Sequence, residues 1–318
     1  MSLLSVEFSG SLTTMKTLKL SVSLFLMFGM SLMFFGCTQS KELGSEQNPV
    51  KFLLVPAQDT LTLLDKSKGL KKFLEDETKM KFSIELPINY VAVVEAFGTK
   101  RADLAIVNTF GYIMANQKYG VQARLKLINR GRDEYYGQVI ARVDGPKSIK
   151  ELQGKTFAYV DPASTSGYLL PLRLFKQEKI NLKDFMFAGK HDSVVQAVYQ
   201  KKVDAGATFY TAPDEDGTPK DARWLLRTQY PDVYEKVKIL KLTGPIPNDP
   251  IAFRKDLPEE IKKKITDALL KYVKTEEGKK VLLDMYHITD FKVASDKDYD
   301  LVRGYLKDVG QDVTQFVK

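Results

Sequence analysis

Hydroxyl groups at a strand–helix junction are the residues of this chain best placed to do chemistry. Ser164, Thr165 and Ser166 stand in a row after the apolar run 157–160 and before the amphipathic stretch 169–177, with Gly167 behind them. A helix start leaves its first N–H groups without intrahelical partners and carries partial positive charge, so three hydroxyls there suit a tetrahedral oxyanion. One Ser or Thr would be enough for capping alone. His191 follows Ala188, Gly189 and Lys190 at a second junction of the same kind. A neutral imidazole donates one hydrogen bond, and a protonated one adds charge for an anion. Asp249 sits between Pro247 and Pro250, in a turn that the prolines keep stiff. A carboxylate beside an oxyanion is useful when it accepts a proton-bearing P–OH, which would favour a protonated phosphorus oxyanion over sulfate.

Other chemistries lack their parts. The 318 residues include one cysteine and two histidines, His191 and His287, far apart in sequence. A disulfide framework, a thiolate zinc site and an iron–sulfur cluster are excluded, and a histidine-rich metal site is not expected. Asp144, Glu151 and Asp161 form no pair at helical spacing, so general acid–base chemistry has no support. There is no nucleophile elbow, phosphate-binding P-loop or dinucleotide fingerprint. Lysine and arginine number 48 against 40 acids, a formal charge of +8. The basic clusters (Lys71 and Lys72, Lys201 and Lys202, and residues 262–264) lie on amphipathic stretches and read as solvated faces, not a nucleic-acid surface. Arg130, Arg132 and Arg142 are expected to pair with nearby acids. With 44% hydrophobic and 28% charged residues, the chain is globular, of a size for one large or two medium domains.

The elements that must position these groups begin after a targeting segment. Residues 20–36 are uncharged and follow Lys16 and Lys19, giving a charged and then an apolar region that reads as a signal peptide over 1–36, with Met15 a more natural start than Met1. Cys37 after Gly36 resembles the lipobox of bacterial lipoproteins, which implies export and a lipid anchor on that cysteine. Residues 37–49 read as a tether. Strands are expected at 50–55, 81–86 and 103–107, with helices at 61–78, 91–100 and 110–119. A second series runs through strands 155–160, 184–187 and 204–208 and helices 167–177 and 192–202. The segment 237–242 leads into the proline-rich return, and a helical tail follows from 258. This alternation implies an α/β fold with parallel sheets. Two lobes joined by two crossings are expected, lobe 1 being 50–140 plus 247–318 and lobe 2 being 141–246. A ligand cleft would lie between them, beyond the carboxyl ends of the strands.

Four motifs occur in order: Ser164, Thr165, Ser166, Gly167 and Tyr168; Ala188, Gly189, Lys190, His191 and Asp192; Val203, Asp204, Ala205, Gly206 and Ala207; and Ile246, Pro247, Asn248, Asp249 and Pro250. Over roughly residues 50–286 the chain resembles the phosphonate, phosphite and phosphate-binding proteins of ABC importers, within the type II periplasmic binding proteins. The resemblance implies a non-enzymatic, monomeric binding protein without cofactor or metal. It would deliver a phosphorus oxyanion to an ABC permease, or feed a membrane signalling receptor, or bind another small anion. It gives ligand-contact roles to Ser164, Thr165, Ser166, His191 and Asp249. Tyr90 would hydrogen-bond the ligand or wall the cleft. Thr109, Tyr112 and Tyr210 are secondary candidates. Relatives that bind aminoalkyl phosphonates pair the amine with an acid beyond the 203–207 strand. Here the nearest acids are Asp214 and Glu215, so an amine-free ligand is expected.

Overall fold

The computed structural model describes residues 42–57 and 60–310. The expected signal peptide and Cys37 lie outside the described residues. The last part of the expected tether is folded onto the body of the protein: Lys81 N–H donates to Gly44 O (2.7 Å) and the Lys81 ammonium pairs with Glu46 (2.7 Å).

The chain opens with β1 (Val50–Leu54), α1 (Thr60–Thr78), β2 (Phe82–Glu85), α2 (Tyr90–Gly98), β3 (Leu104–Ile106), α3 (Thr109–Tyr119) and β4 (Gln122–Asn129). Val50, Phe52 and Leu54 are fully buried, as a strand covered on both faces requires. Next come β5 (Glu134–Arg142), β6 (Thr156–Tyr159), α4 (Leu170–Glu178), β7 (Asp184–Phe187), α5 (His191–Tyr199), β8 (Ala205–Tyr210), α6 (Val233–Lys236) and β9 (Val237–Pro247). The chain then returns through β10 (Pro250–Phe253), α7 (Glu259–Tyr272), α8 (Glu276–Tyr286), β11 (Ile288–Val293) and α9 (Asp300–Val309).

These elements make two sheets, one in each lobe. The first has the order β11-β4-β10-β3-β1-β2 and the second β7-β6-β8-β5-β9. β1 runs parallel to β2 and β3, and β6 parallel to β7 and β8, as the strand–helix alternation requires. The sheets are nevertheless mixed, not parallel as expected. β10 is antiparallel to β3 and β4, β11 to β4, and β5 to β8 and β9. The antiparallel strands border the two crossings, where the chain turns back after leaving a lobe. β11 interrupts the expected helical tail. His287, in the left-handed region (φ 60°), ends α8, and the β-branched and aromatic residues of 288–293 pair with β4. Pro245 and Pro247 are tolerated in β9 because it is an edge strand.

The second sheet takes in β5 from Glu134, ahead of the expected boundary at 140/141. α9 also departs from the expected division, since it packs on α4. Arg173 Nε donates to Asp308 Oδ2 (2.7 Å), Lys176 Nζ to Val309 O (2.9 Å) and the Tyr305 hydroxyl to Pro245 O (3.2 Å).

The two crossings, at 130–133 and 248–249, lie side by side and Asn248 stitches them together. Its side-chain amide donates to Leu127 O (3.0 Å) and Arg132 O (2.7 Å), and its N–H to Asp133 O (3.0 Å). Asn248→Ala removes the buried bond to Leu127 O and one of the two donors to Arg132 O, and is expected to cost about 2 kcal/mol of stability. Urea unfolding followed by circular dichroism measures it, and a midpoint unchanged from wild type would show that the stitch contributes nothing.

Candidate functional site

Three helices that start at one cavity, and the cap of a fourth, place the site. α2 begins at Tyr90, capped by Asn89, whose Oδ1 accepts from Ala92 N–H (2.8 Å). α3 begins at Thr109 after Asn108. A π turn, Thr165–Leu169, runs into α4, and Ser164 caps it by accepting from Gly167 N–H (3.1 Å). α5 begins at His191. Tyr90, Asn108, Thr165 and His191 all line a cavity of about 120 Å³ between the lobes. The wide π turn leaves the amides of Thr165 and Ser166 outside any intrahelical ladder. Glycine is required close by: a Cβ on Gly137 in β5 would lie 2.9 Å from Ser166 O and 2.7 Å from Thr243 Oγ1.

The same helix starts also hold the lobes together. Asp161 Oδ2 accepts from Tyr90 N–H (3.3 Å), and Asp161 Oδ1 from Ala163 N–H (2.8 Å). Thr165 Oγ1 accepts from Phe110 N–H (2.9 Å) and from Asn108 Nδ2 (3.2 Å), and Asn108 Nδ2 also donates to Ala163 O (2.7 Å). Thr165, expected to contact a ligand, lines the cavity and accepts two bonds from the other lobe, which leaves its O–H as a donor.

One pole of the cavity gathers Tyr90, Ser164, Ser166, His191, Asp249 and Tyr135. The Tyr90 hydroxyl and Asp249 Oδ1 are buried and have no protein partner. Burial pushes the Asp249 carboxyl up to about 7, against the pull of hydrogen bonds from the Thr109 backbone and hydroxyl. Burial pushes His191 down to about 3, so its imidazole is neutral. His191 Nδ1 lies 2.7 Å from the Thr208 hydroxyl. When that hydroxyl donates, Nε2 keeps the proton and is a donor. Burial holds Tyr90 and Tyr135 well above the usual phenol range, with the Asp161 and Asp249 carboxylates adding to the effect on Tyr90. Both are therefore O–H donors at neutral pH. This pole offers neutral donors, helix dipoles and one proton-exchanging carboxyl, a set that suits an oxyanion.

Val55, Leu127, Phe209 and Leu225 line the apolar part of the cavity. A second group in the lining, which we call the second pole, is Asn129, Arg130 and His287. Arg130 makes the expected acid pair, with Asp214 (2.9 and 3.0 Å), and also reaches His287 Nδ1 (3.1 Å). An arginine only donates, so Nδ1 accepts and the His287 proton is on Nε2. Burial, then the Arg130 charge, pushes His287 down to about 4.

Three candidates lie outside the cavity lining. Thr109 supports Asp249, its hydroxyl also 2.7 Å from Pro247 O. Tyr112 is fully buried, donates to Asp296 Oδ1 (2.8 Å) and packs against Tyr299. Tyr210 pairs with Tyr136 across β5 and β8 and lines a separate surface groove. The sequence reading passed over Tyr135, Asn108 and His287 as site residues. Only an alternating pattern in 122–129 and 134–142, which marks strands ending at the cleft, could have pointed to Tyr135.

Residues 52–299 match the family model described as ABC transporter, phosphonate, periplasmic substrate-binding protein. The phosphonates-binding periplasmic protein of Escherichia coli is 29% identical over 223 residues, covering 66% of this chain and 63% of that protein. The phosphate-import protein PhnD of Mycolicibacterium smegmatis is 30% identical over 176 residues, covering 51% of this chain and 55% of that one. The chain thus spans less than two thirds of the length of these curated relatives. A binding protein component of an ABC phosphonate transporter from Pseudomonas aeruginosa shares the fold, with a TM-score of 0.71 at 22% identity over 81% of this chain and 86% of that one.

The raised Asp249 carboxyl gives a signed pH dependence. Its folded value of about 7 exceeds the unfolded one, so its contribution to stability is complete below about pH 4 and is lost as pH rises through 7. Relative to Asp249→Asn, the wild type should lose on the order of 4 kcal/mol between pH 4 and 7. Paired urea titrations across that range test this, and parallel pH profiles for the two proteins would refute it.

Proposed function

The chain belongs to the phosphonate family of periplasmic ABC-transporter substrate-binding proteins, and from that premise we propose that it captures a phosphorus oxyanion between its lobes and delivers it to a membrane permease. The observation that carries this reading is the first pole of the cavity. Two buried polar atoms without protein partners, Tyr90 Oη and Asp249 Oδ1, face the same cavity as Ser164, Ser166 and neutral His191. A buried polar group left unpaired costs about 1–3 kcal/mol, and an oxyanion supplies partners to several at once.

The ligand is phosphate, phosphite or a small alkylphosphonate. Its oxygens take hydrogen bonds from Ser164, Ser166, Tyr90 and His191 Nε2, and from the amides of the π turn. Asp249 exchanges a proton with the ligand: the protonated carboxyl donates to P–O⁻, and the ionised one accepts from P–OH. Sulfate carries no proton near neutral pH and is the weaker ligand. Thr165 and Asp161 join the lobes across the ligand, so the closed form is the state a permease reads. The ligand leaves chemically unchanged. Cys37 carries the lipid that keeps the protein at a bacterial membrane, as a monomer on the exported side.

Titration calorimetry on the full chain, purified in detergent and freed of bound ligand, tests the reading with phosphate, phosphite, methylphosphonate and sulfate. One phosphorus oxyanion is expected to bind best, with sulfate weakest. Ser166→Ala and Asp249→Ala should each weaken that binding by roughly 10- to 100-fold, as loss of a charge-assisted hydrogen bond does. No heat with any of the phosphorus oxyanions would overturn it.

A further inference from the structure

The lining of the cavity continues past its first pole, through Leu127 and Phe209 to Asn129, Arg130 and His287. The oxyanion contacts leave this second pole unused. Leu127 N–H donates to Asp249 O (3.0 Å), which fixes Asp249 beside Leu127. Arg130 stands just past the end of β4, in the left-handed region (φ 51°), and lines the same cavity. A short substituent on phosphorus is what would link the two poles.

The second pole has one unpaired acceptor, the buried Asn129 Oδ1, against two donors. Arg130 Nε is buried and has no protein partner, although the rest of the guanidinium is engaged. His287 presents its remaining proton on Nε2, because Nδ1 accepts from Arg130. The acid available to an amine is already taken: Asp214 holds both Arg130 (2.9 Å) and Lys220 (3.3 Å). Lys220 is shared between Asp214 and the exposed Asp216, and of these groups only the Arg130 guanidinium lines the cavity.

We infer, on the reading that the cavity takes a phosphorus oxyanion, that Arg130 and His287 select a phosphonate whose substituent ends in a carboxylate, and disfavour one that ends in an amine. The carboxylate accepts from Arg130 Nε–H and His287 Nε2–H while the phosphorus oxygens occupy the first pole. The apolar residues Leu127 and Phe209 flank the linking carbons.

Calorimetry on the full chain tests this with methylphosphonate, 2-aminoethylphosphonate, phosphonoacetate and 3-phosphonopropionate. At least one of the two phosphonocarboxylates should bind tenfold or more tighter than methylphosphonate, and the aminophosphonate should bind more weakly than either. Arg130→Gln should bring the carboxylate-to-methyl affinity ratio down to near one. Asp214→Asn, which releases the Arg130 Nη1 ion pair, should keep or raise that ratio. The wild-type ranking stands as a test even if one variant fails to fold. A phosphonocarboxylate no tighter than methylphosphonate, an aminophosphonate that binds best, or a ratio unchanged in Arg130→Gln would each overturn the inference and leave the oxyanion reading intact. Binding of none of the four, or of the phosphate and phosphite tested above, would remove both.

Discussion

A helix start cannot be buried unless something accepts its first N–H groups, and this molecule buries several of them against one another. The rest of the architecture follows from that constraint. Tyr90, Thr109, Thr165 and His191 each open a helix, and all four belong to segments that end at the interlobe cleft. Their partial positive charges would repel across an empty gap. The protein answers partly with its own acceptors: Asp161 takes the α2 amide and Thr165 takes the α3 amide, each from the opposite lobe. The acceptors still lacking are what an anion provides, so lobe closure and anion capture satisfy one requirement together.

Few fixed charges enter this arrangement. At the first pole His191 is neutral and Asp249 titrates near 7, so neither contributes a permanent ion. An anion is then held by dipoles and neutral donors, which are already desolvated and need little reorganisation. The permanent cation, Arg130, belongs to the second group of lining residues and is partly neutralised by Asp214. Strong charge close to the oxyanion would deepen binding without distinguishing one anion from another. Dipoles together with a proton-exchanging carboxyl are sensitive to protonation state as well.

How far the sequence could be read depended on whether a feature is local. The hydroxyl row, His191 and Asp249 lie at strand–helix junctions or between prolines, where neighbouring residues dictate the backbone, and the structure gathers them at one cavity. Long apolar runs made β1, β3 and β6 equally visible. β4 and β5 were harder: β4 alternates charged Arg124 and Lys126 with buried Ala123, Leu125 and Leu127, so its mean hydropathy is modest. Once those strands are passed over, nothing local places Tyr135 or Arg130 at the cleft. His287 was beyond reach for another reason. It meets Arg130 across 157 residues of sequence, through a strand that looked like helix. Tyr112 and Tyr210 show the converse limit, since an aromatic residue near a motif is as readily core or sheet surface as ligand contact.

The placement of β10 also governs the order in which the molecule can assemble. β10 lies between β3 and β4, pairing Ile251 with Ile106 on one side and with Leu125 on the other. The strand that seals the first sheet is therefore made only after the whole second sheet, which is contiguous from Glu134 to Pro247. During synthesis the second lobe has every strand it needs well before the first does. Until residue 253 emerges, β3 and β4 have no strand to join them, and β3 offers a raw edge to any passing chain. The first lobe thus closes a loop of more than a hundred residues only after the second lobe is complete, with β11 still to add to β4, a non-local event that makes it the slow half of the fold.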